Sequence, residues 1–176
     1  MNDFAQFLTD QLDYSHVRLI TSLEGLTDEQ AFKRIAPDSN SIAAIMLHLG
    51  RVEDLHTARA ILAVPQVWET RSLQSKMGIP NPVEFPIELG WTLDSGHDAG
   101  LRLADMLEYL EETRSNTKAY LQSASEKDLL TPVDDGLERH KGWTAAKHIA
   151  HLALHQSHHQ GQIDYAKGLI NSMAKA

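Results

Sequence analysis

The chain has 176 residues, 16 Lys plus Arg against 24 Asp plus Glu, a formal charge of -8, ten histidines and no cysteine. That length supports one substantial core, and nothing in it marks a second domain, so residues 1–176 read as a single domain. The acidic balance and the lack of a long basic patch exclude direct nucleic-acid binding as an expected role, and the absence of cysteine excludes disulfides, thiolate zinc sites, iron–sulfur clusters and a cysteine nucleophile. A metal must therefore be held by nitrogen or oxygen, and any thiol chemistry must take its thiol from a substrate. The start MNDFAQFLTDQLDY has no basic segment followed by an apolar signal core, and no apolar run approaches about 18 residues. The expectation is a soluble, cytoplasmic protein with no membrane span.

From Asp3 to about Leu23, Phe4, Phe7, Leu8, Leu12, Leu19 and Leu23 recur at intervals of three and four, the mark of an amphipathic helix that Gly25 ends. A second helix opens near Ser39 to Ser41, where serine or asparagine can cap free amides. It runs through Ile42, Ile45, Met46, Leu49, Val52 and Leu55 toward Pro65. Between Pro65 and His97, Gly78, Pro80, Pro82, Pro86 and Gly90 break regular structure around Trp68, Phe85 and Trp91. Loops of this length usually carry function. The third helix shows one face in Leu101, Leu103, Ala104, Leu107, Leu110, Thr117, Tyr120 and Leu121. Residues 131–142 form a polar connection with room for a short extended piece, and a fourth helix follows from about Trp143 to Ile170. Four such helices predict an all-α four-helix bundle. The first connection is short and the crossover between helices two and three is long enough to span the bundle, which predicts an up-down-down-up order.

The chemistry concentrates in the fourth helix, where the run HIAHLALHQSHHQGQI from His148 to Ile163 holds five of the ten histidines. A helix turns about 100° per residue, so His155 and His159, four apart, share a face with side chains about 5–6 Å apart and can grip one metal ion. Two imidazoles leave the site incomplete, and a third ligand has to come from another segment, for which His48 in the apolar second helix is a candidate. Periodicity equally permits a His151–His155 pair. The plainer alternative is a set of structural or surface histidines. His148, His151 and His158 read as packed or solvent-facing, and His16, His56, His97 and His140 have still weaker claims. With no second comparable cluster in view, one metal per chain is expected. Gln162, three residues beyond His159, either bridges to a ligand or packs at a helix contact. Trp68 and Trp91 either line a pocket for an apolar substrate or pack in a core or dimer contact.

The SIAAIMLHL run from Ser41 to Leu49, the proline-rich crossover and the HQSHHQGQI ending from His155 to Ile163 together resemble the DinB/YfiT-like superfamily of bacterial metal-binding four-helix proteins. That superfamily includes maleylpyruvate isomerases dependent on mycothiol. The resemblance runs through most of the chain. It implies a three-histidine metal site with His48, His155 and His159 as ligands, often in a homodimer. Three neutral imidazoles suit zinc, nickel or iron, and zinc is favoured because it accepts three protein ligands plus one open position without a redox requirement. Glu53, Asp54 or a loop carboxylate is a candidate to fill or support the site. The implied activity is thiol-dependent S-transfer or isomerisation on a small thiol and an electrophile. Metal-dependent hydrolysis and a non-catalytic, stress-associated metal-binding role are the alternatives.

Overall fold

The computed structural model describes residues 1–76 and 101–173. The first long helix, α1 (Asp3–Leu23), is opened by Asn2, whose side chain accepts from the Ala5 amide at 2.8 Å, and the chain leaves it through Gly25 at φ 73°, a left-handed turn that glycine adopts without steric cost. A Thr27–Gln30 capping box starts the short α2 (Asp28–Phe32). Ser41 caps α3 (Ile42–Asp54), which runs on as a π-helical segment over Leu55–Ile61. Two further short helices, α4 (Val67–Thr70) and α5 (Leu73–Lys76), precede the long α6 (Leu103–Ser123). After α7 (Glu126–Leu130) and a 3-10 turn at Glu138–His140 comes the longest helix, α8 (Ala145–Met173).

The four long helices lie where apolar periodicity puts them, and the fourth begins at Ala145. The four short helices have no counterpart in the sequence reading, because four or five residues are too few to display a 3.6-residue period. The polar connection does contain an extended piece, the isolated antiparallel bridge between Pro132 and Thr144. Residues 77–100, with Phe85, Trp91, His97 and the proline-rich part of the crossover, lie outside the described residues. None of the helices among the described residues is long and apolar enough to cross a membrane.

Specific contacts fix the helix directions. Ala5 packs in one cluster with Ala146 and Ile149, Ser15 Oγ donates to Gln156 Oε1 at 2.7 Å, and Lys167 Nζ donates to the Ser22 and Glu24 carbonyls, so α1 and α8 run parallel. Gly50 meets Tyr109, Glu53 meets Arg114 and Thr57 meets Thr117, so α3 and α6 are also parallel. Asn2 and Leu12 reach Ala124 and Arg114, which sets α1 against α6, and α3 opposes α8 because His48 meets His155 while His56 meets His148. The order is up-down-down-up, as the connection lengths predicted.

Two apolar clusters fill the bundle. One joins Leu19, Leu23, Ile42, Met46, Tyr109, Ile163 and neighbours; the other joins Leu8, Leu12, Val52, Leu121, Leu129, Ile149 and Leu152. At the level between them lies a buried polar layer of Ser15, Glu53, Arg114, Thr117 and Gln156. Close approach of α3 and α6 depends on Gly50: a Cβ there would lie 2.7 Å from the Tyr109 ring. That ring has no room to withdraw, since Tyr109 is fully buried and its hydroxyl donates to Asp54 Oδ2 at 2.9 Å.

Candidate metal centre

The antiparallel crossing of α3 and α8 brings His48 down onto the His155–His159 pair. His155 Nε2 is 3.1 Å from His48 Nε2 and 3.1 Å from His159 Nε2, and the three rings meet edge to face or tilted. Ligands placed tetrahedrally about 2.0–2.1 Å from a zinc ion would be roughly 3.3 Å apart, so this spacing is close to that of a chelate. His159 Nδ1 sits 2.7 Å from Gln162 Oε1, an oxygen that only accepts; the ring proton is therefore on Nδ1, and Nε2 turns its lone pair toward the other two rings. Gln162, expected either to bridge to a ligand or to pack at a helix contact, reaches the His159 ring. His48 Nδ1 is buried with no hydrogen-bond partner among the described residues, a cost of about 1–3 kcal/mol that a strong interaction at Nε2 would offset.

The electrostatics favour neutral rings, the form a metal requires. Burial and the nearby His159 push His48 down to about 4. Burial, then His159, His48, His151 and His56, push His155 down to about 3. Burial also lowers His159, and the Gln162 hydrogen bond only partly opposes it. Three neutral imidazoles thus bring their Nε2 atoms together, with His155 Nε2 within 3.1 Å of the other two.

Neither carboxylate considered as a fourth ligand is available to this group. Glu53 forms a two-pronged ion pair with Arg114, through bonds of 2.7 and 2.9 Å, and accepts from Thr117. Asp54 turns to the start of α4, where it accepts from the Val67 and Trp68 amides at 3.0 and 2.9 Å. Among the described residues the group has three members, His48, His155 and His159. Trp68 is buried, with its ring under the Arg51 guanidinium at 4.6 Å and beside Tyr109 at 6.0 Å, so its core-packing reading matches its surroundings. His158 is exposed, as the plain reading has it.

His56, His140 and His148 depart from that plain reading. With Asp135 they form a second compact group, each able to offer one ligand atom, all within 4.8 Å of one another. His56 Nδ1 and His148 Nδ1 are 2.7 Å apart, and His140 Nδ1 contacts Asp135 Oδ2 directly. The four come from the π-helical segment, the 131–144 connection and the start of α8, and no fixed sequence spacing links such positions. Burial, then the neighbouring His148, His151 and His140, drive His56 down to about 3. Burial also lowers His148, against the pull of Asp135. For Asp135 burial acts upward, but the His140 and Leu137 hydrogen bonds and the adjacent histidines prevail and hold the carboxyl below its ordinary value.

The family model for the DinB superfamily matches residues 11–163, which include both histidine groups. The chain belongs to the DinB superfamily. Solved structures share the DinB-like fold along nearly the whole chain. A conserved protein from Enterococcus faecalis superposes with a TM-score of 0.78 at 22% identity, covering 98% of this chain and 99% of that one. The sibling lethal factor precursor DfsB gives 0.57 at 19% identity, covering 93% and 94%, and a Streptococcus pneumoniae protein gives 0.58 at 17%, covering 99% and 92%. At these identities the likeness is one of fold. No curated protein matches the chain.

Proposed function

We propose that this DinB-superfamily protein is a metal-dependent enzyme whose divalent ion, zinc first with nickel or iron as alternatives, is held by His48, His155 and His159, and which performs thiol-dependent S-transfer or isomerisation. The observation that carries the metal assignment is the convergence of three imidazole nitrogens, with the His159 tautomer set by Gln162. Three protein ligands are the number found at catalytic rather than closed structural zinc sites. A metal bound there would supply Lewis acidity and lower the pKa of an incoming thiol or water. The chain's own part is to keep the three rings neutral by burial, to aim Nε2 of His159 through Gln162, and to hold His48 on the rigid, apolar α3. The thiol reading rests on the resemblance to a superfamily with thiol-dependent isomerases; with no cysteine in the chain, the sulfur of such a reaction would belong to a substrate.

The test is cobalt-substituted, tag-free protein titrated with small thiols. The expected result is a sulfur-to-metal charge-transfer absorption that is missing from the His48→Ala variant. A cobalt protein that exchanges water freely yet shows no such band with several thiols would remove thiol transfer, leaving hydrolysis or a non-catalytic role for the site.

A homodimer belongs to the same proposal. Phe7, Tyr14 and Val17 on α1, and Leu154 and Tyr165 on the adjoining α8, are large, apolar or aromatic and exposed, at 55–70% relative accessibility. Those two parallel helices are the proposed pairing face. Light scattering should report twice the chain mass of 19.6 kDa; one chain mass over a wide concentration range would dispose of the dimer.

A further inference from the structure

We propose that His56, Asp135, His140 and His148 form a second, closed transition-metal site, built for zinc, that pins the 131–144 connection to the helix bundle. Three imidazoles and one carboxylate are four nitrogen and oxygen donors, the number that fills a tetrahedral structural site. All four side chains are withdrawn from solvent: His56 and Asp135 are 1% exposed, His140 4% and His148 0%. The surrounding connection is not. Thr131, Pro132, Asp134, Gly136, Glu138, Arg139, Lys141 and Gly142 are exposed, and a solvent-facing segment of this kind is normally anchored by inward apolar side chains. Here Trp143 packs inward on His140 and His148, and beside it an aspartate and a histidine also turn inward, converging on two more histidines from α8 and from the π-helical segment.

His56 Nδ1 and His148 Nδ1 face each other at 2.7 Å, where one ring supplies a proton and the other a lone pair. The Asp135 carboxylate accepts from the Leu137 amide at 3.0 Å and contacts His140 Nδ1, with His56 Nδ1 3.9 Å away, and a buried charge is tolerated when paired or bound to metal. A divalent ion among the four donors would take the place of the proton shared by the two rings and would pair the carboxylate with a full positive charge. Ligation through His140 Nδ1 moves that ring's proton to Nε2, so it gives up the 3.2 Å contact from exposed Arg139, a small loss at the surface. Trp143, stacked on His140 with ring centroids 4.1 Å apart, fixes the ring's plane.

The second site is separate from the first. His148 and His155 are seven residues apart on α8, two turns or about 10 Å, well beyond the roughly 3.5–4 Å of a two-metal centre. His151 stands between the groups, its ring centroid 5.5 Å from His155 and 5.7 Å from His56. The π-helical segment widens α3 where it reaches His56, a local departure of the kind that often marks a functional position.

The test uses full-length, tag-free protein stripped with chelator and reconstituted with zinc. Wild type should retain two equivalents per chain, and His155→Ala/His159→Ala, which removes the first group, should retain one. Adding Asp135→Asn, which preserves the size of the side chain and its contact with His140, should take that remainder below half an equivalent; His56→Gln should do the same. Zinc should also raise the melting temperature of the first-site double variant, and Asp135→Asn should abolish the rise. If the double variant keeps its helical circular dichroism but binds less than half an equivalent, the second site does not exist, whatever wild type binds. If wild type and the double variant each hold one equivalent, the second site stands and the three-histidine assignment fails.

Discussion

Replacing His155 or His159 with alanine should remove one zinc equivalent per chain and weaken that site by more than about 100-fold, since changing even an outer partner of a ligand costs roughly 10–100-fold. A tridentate grip cannot be reproduced by two imidazoles, and no carboxylate among the described residues is placed to substitute, Glu53 and Asp54 being committed to Arg114 and to the start of α4. Gln162→Leu should produce a graded loss of about 10–100-fold, because it removes the oxygen that holds the His159 proton on Nδ1. His158→Ala, on the exposed face, should leave affinity unchanged. Competition against a chromophoric chelator measures all four variants. Equal losses in the His155, His158 and His159 variants would mean that another set of residues holds the metal.

The helix pattern that exposes this site in the sequence is the same one that exposes the fold. Leu8, Leu12 and Leu19, or Ile42, Ile45, Met46 and Leu49, need only a 3.6-residue period to declare which face is buried, and all seven are buried, whereas Phe7 and Ala104, assigned to such faces by the same period, lie at their margins and are exposed. His155 and His159 are legible for the same reason, lying on one helix at a spacing that closes a chelate. The helix order followed from the unequal lengths of two connections. His48 required the family resemblance, since nothing in α3 itself says which turn of α8 it will face.

The second group could not be read in this way. His56 is delivered by a π-helical segment, whose five-residue register does not show in an apolar pattern, and Asp135 and His140 come from a polar connection that looks like a solvated loop. His148 differs from its neighbours only in pointing inward, which is decided by how α8 rolls against α1 and α3. Part of the polar layer was hidden similarly. Thr117 lies on the predicted apolar face of its helix, but Glu53 and Arg114 are charged and look like solvent-facing residues until packing turns them inward. The structure places Glu53 and Arg114 at 3% and 4% exposure, so Glu53 is committed to Arg114 and is not a member of the three-histidine group.

That layer sets the second large effect: Glu53→Gln or Arg114→Ala should destabilise the protein by about 3–5 kcal/mol, the usual consequence of leaving one buried charge without its partner. Arg114 donates through Nε and Nη2 to both Glu53 oxygens, through Nη1 to the Leu12 carbonyl at 2.9 Å, and through Nη2 also to Gln156 Oε1 at 3.0 Å. One guanidinium therefore ties α6 to α1, α3 and α8 at the level where the two apolar clusters meet. At about 2–4 °C per kcal/mol for a domain of this size, the melting temperature should fall by roughly 6–20 °C. The double change Glu53→Leu/Arg114→Met should recover much of the loss, because apolar side chains of similar volume avoid the desolvation cost that the pair itself bears. Thermal unfolding of the three variants and wild type, all metal-free so that zinc binding does not enter, measures both effects. If Glu53→Gln costs less than about 1 kcal/mol, the magnitude of an exposed ion pair, then water reaches this layer and Arg114 is not the tie between the four helices.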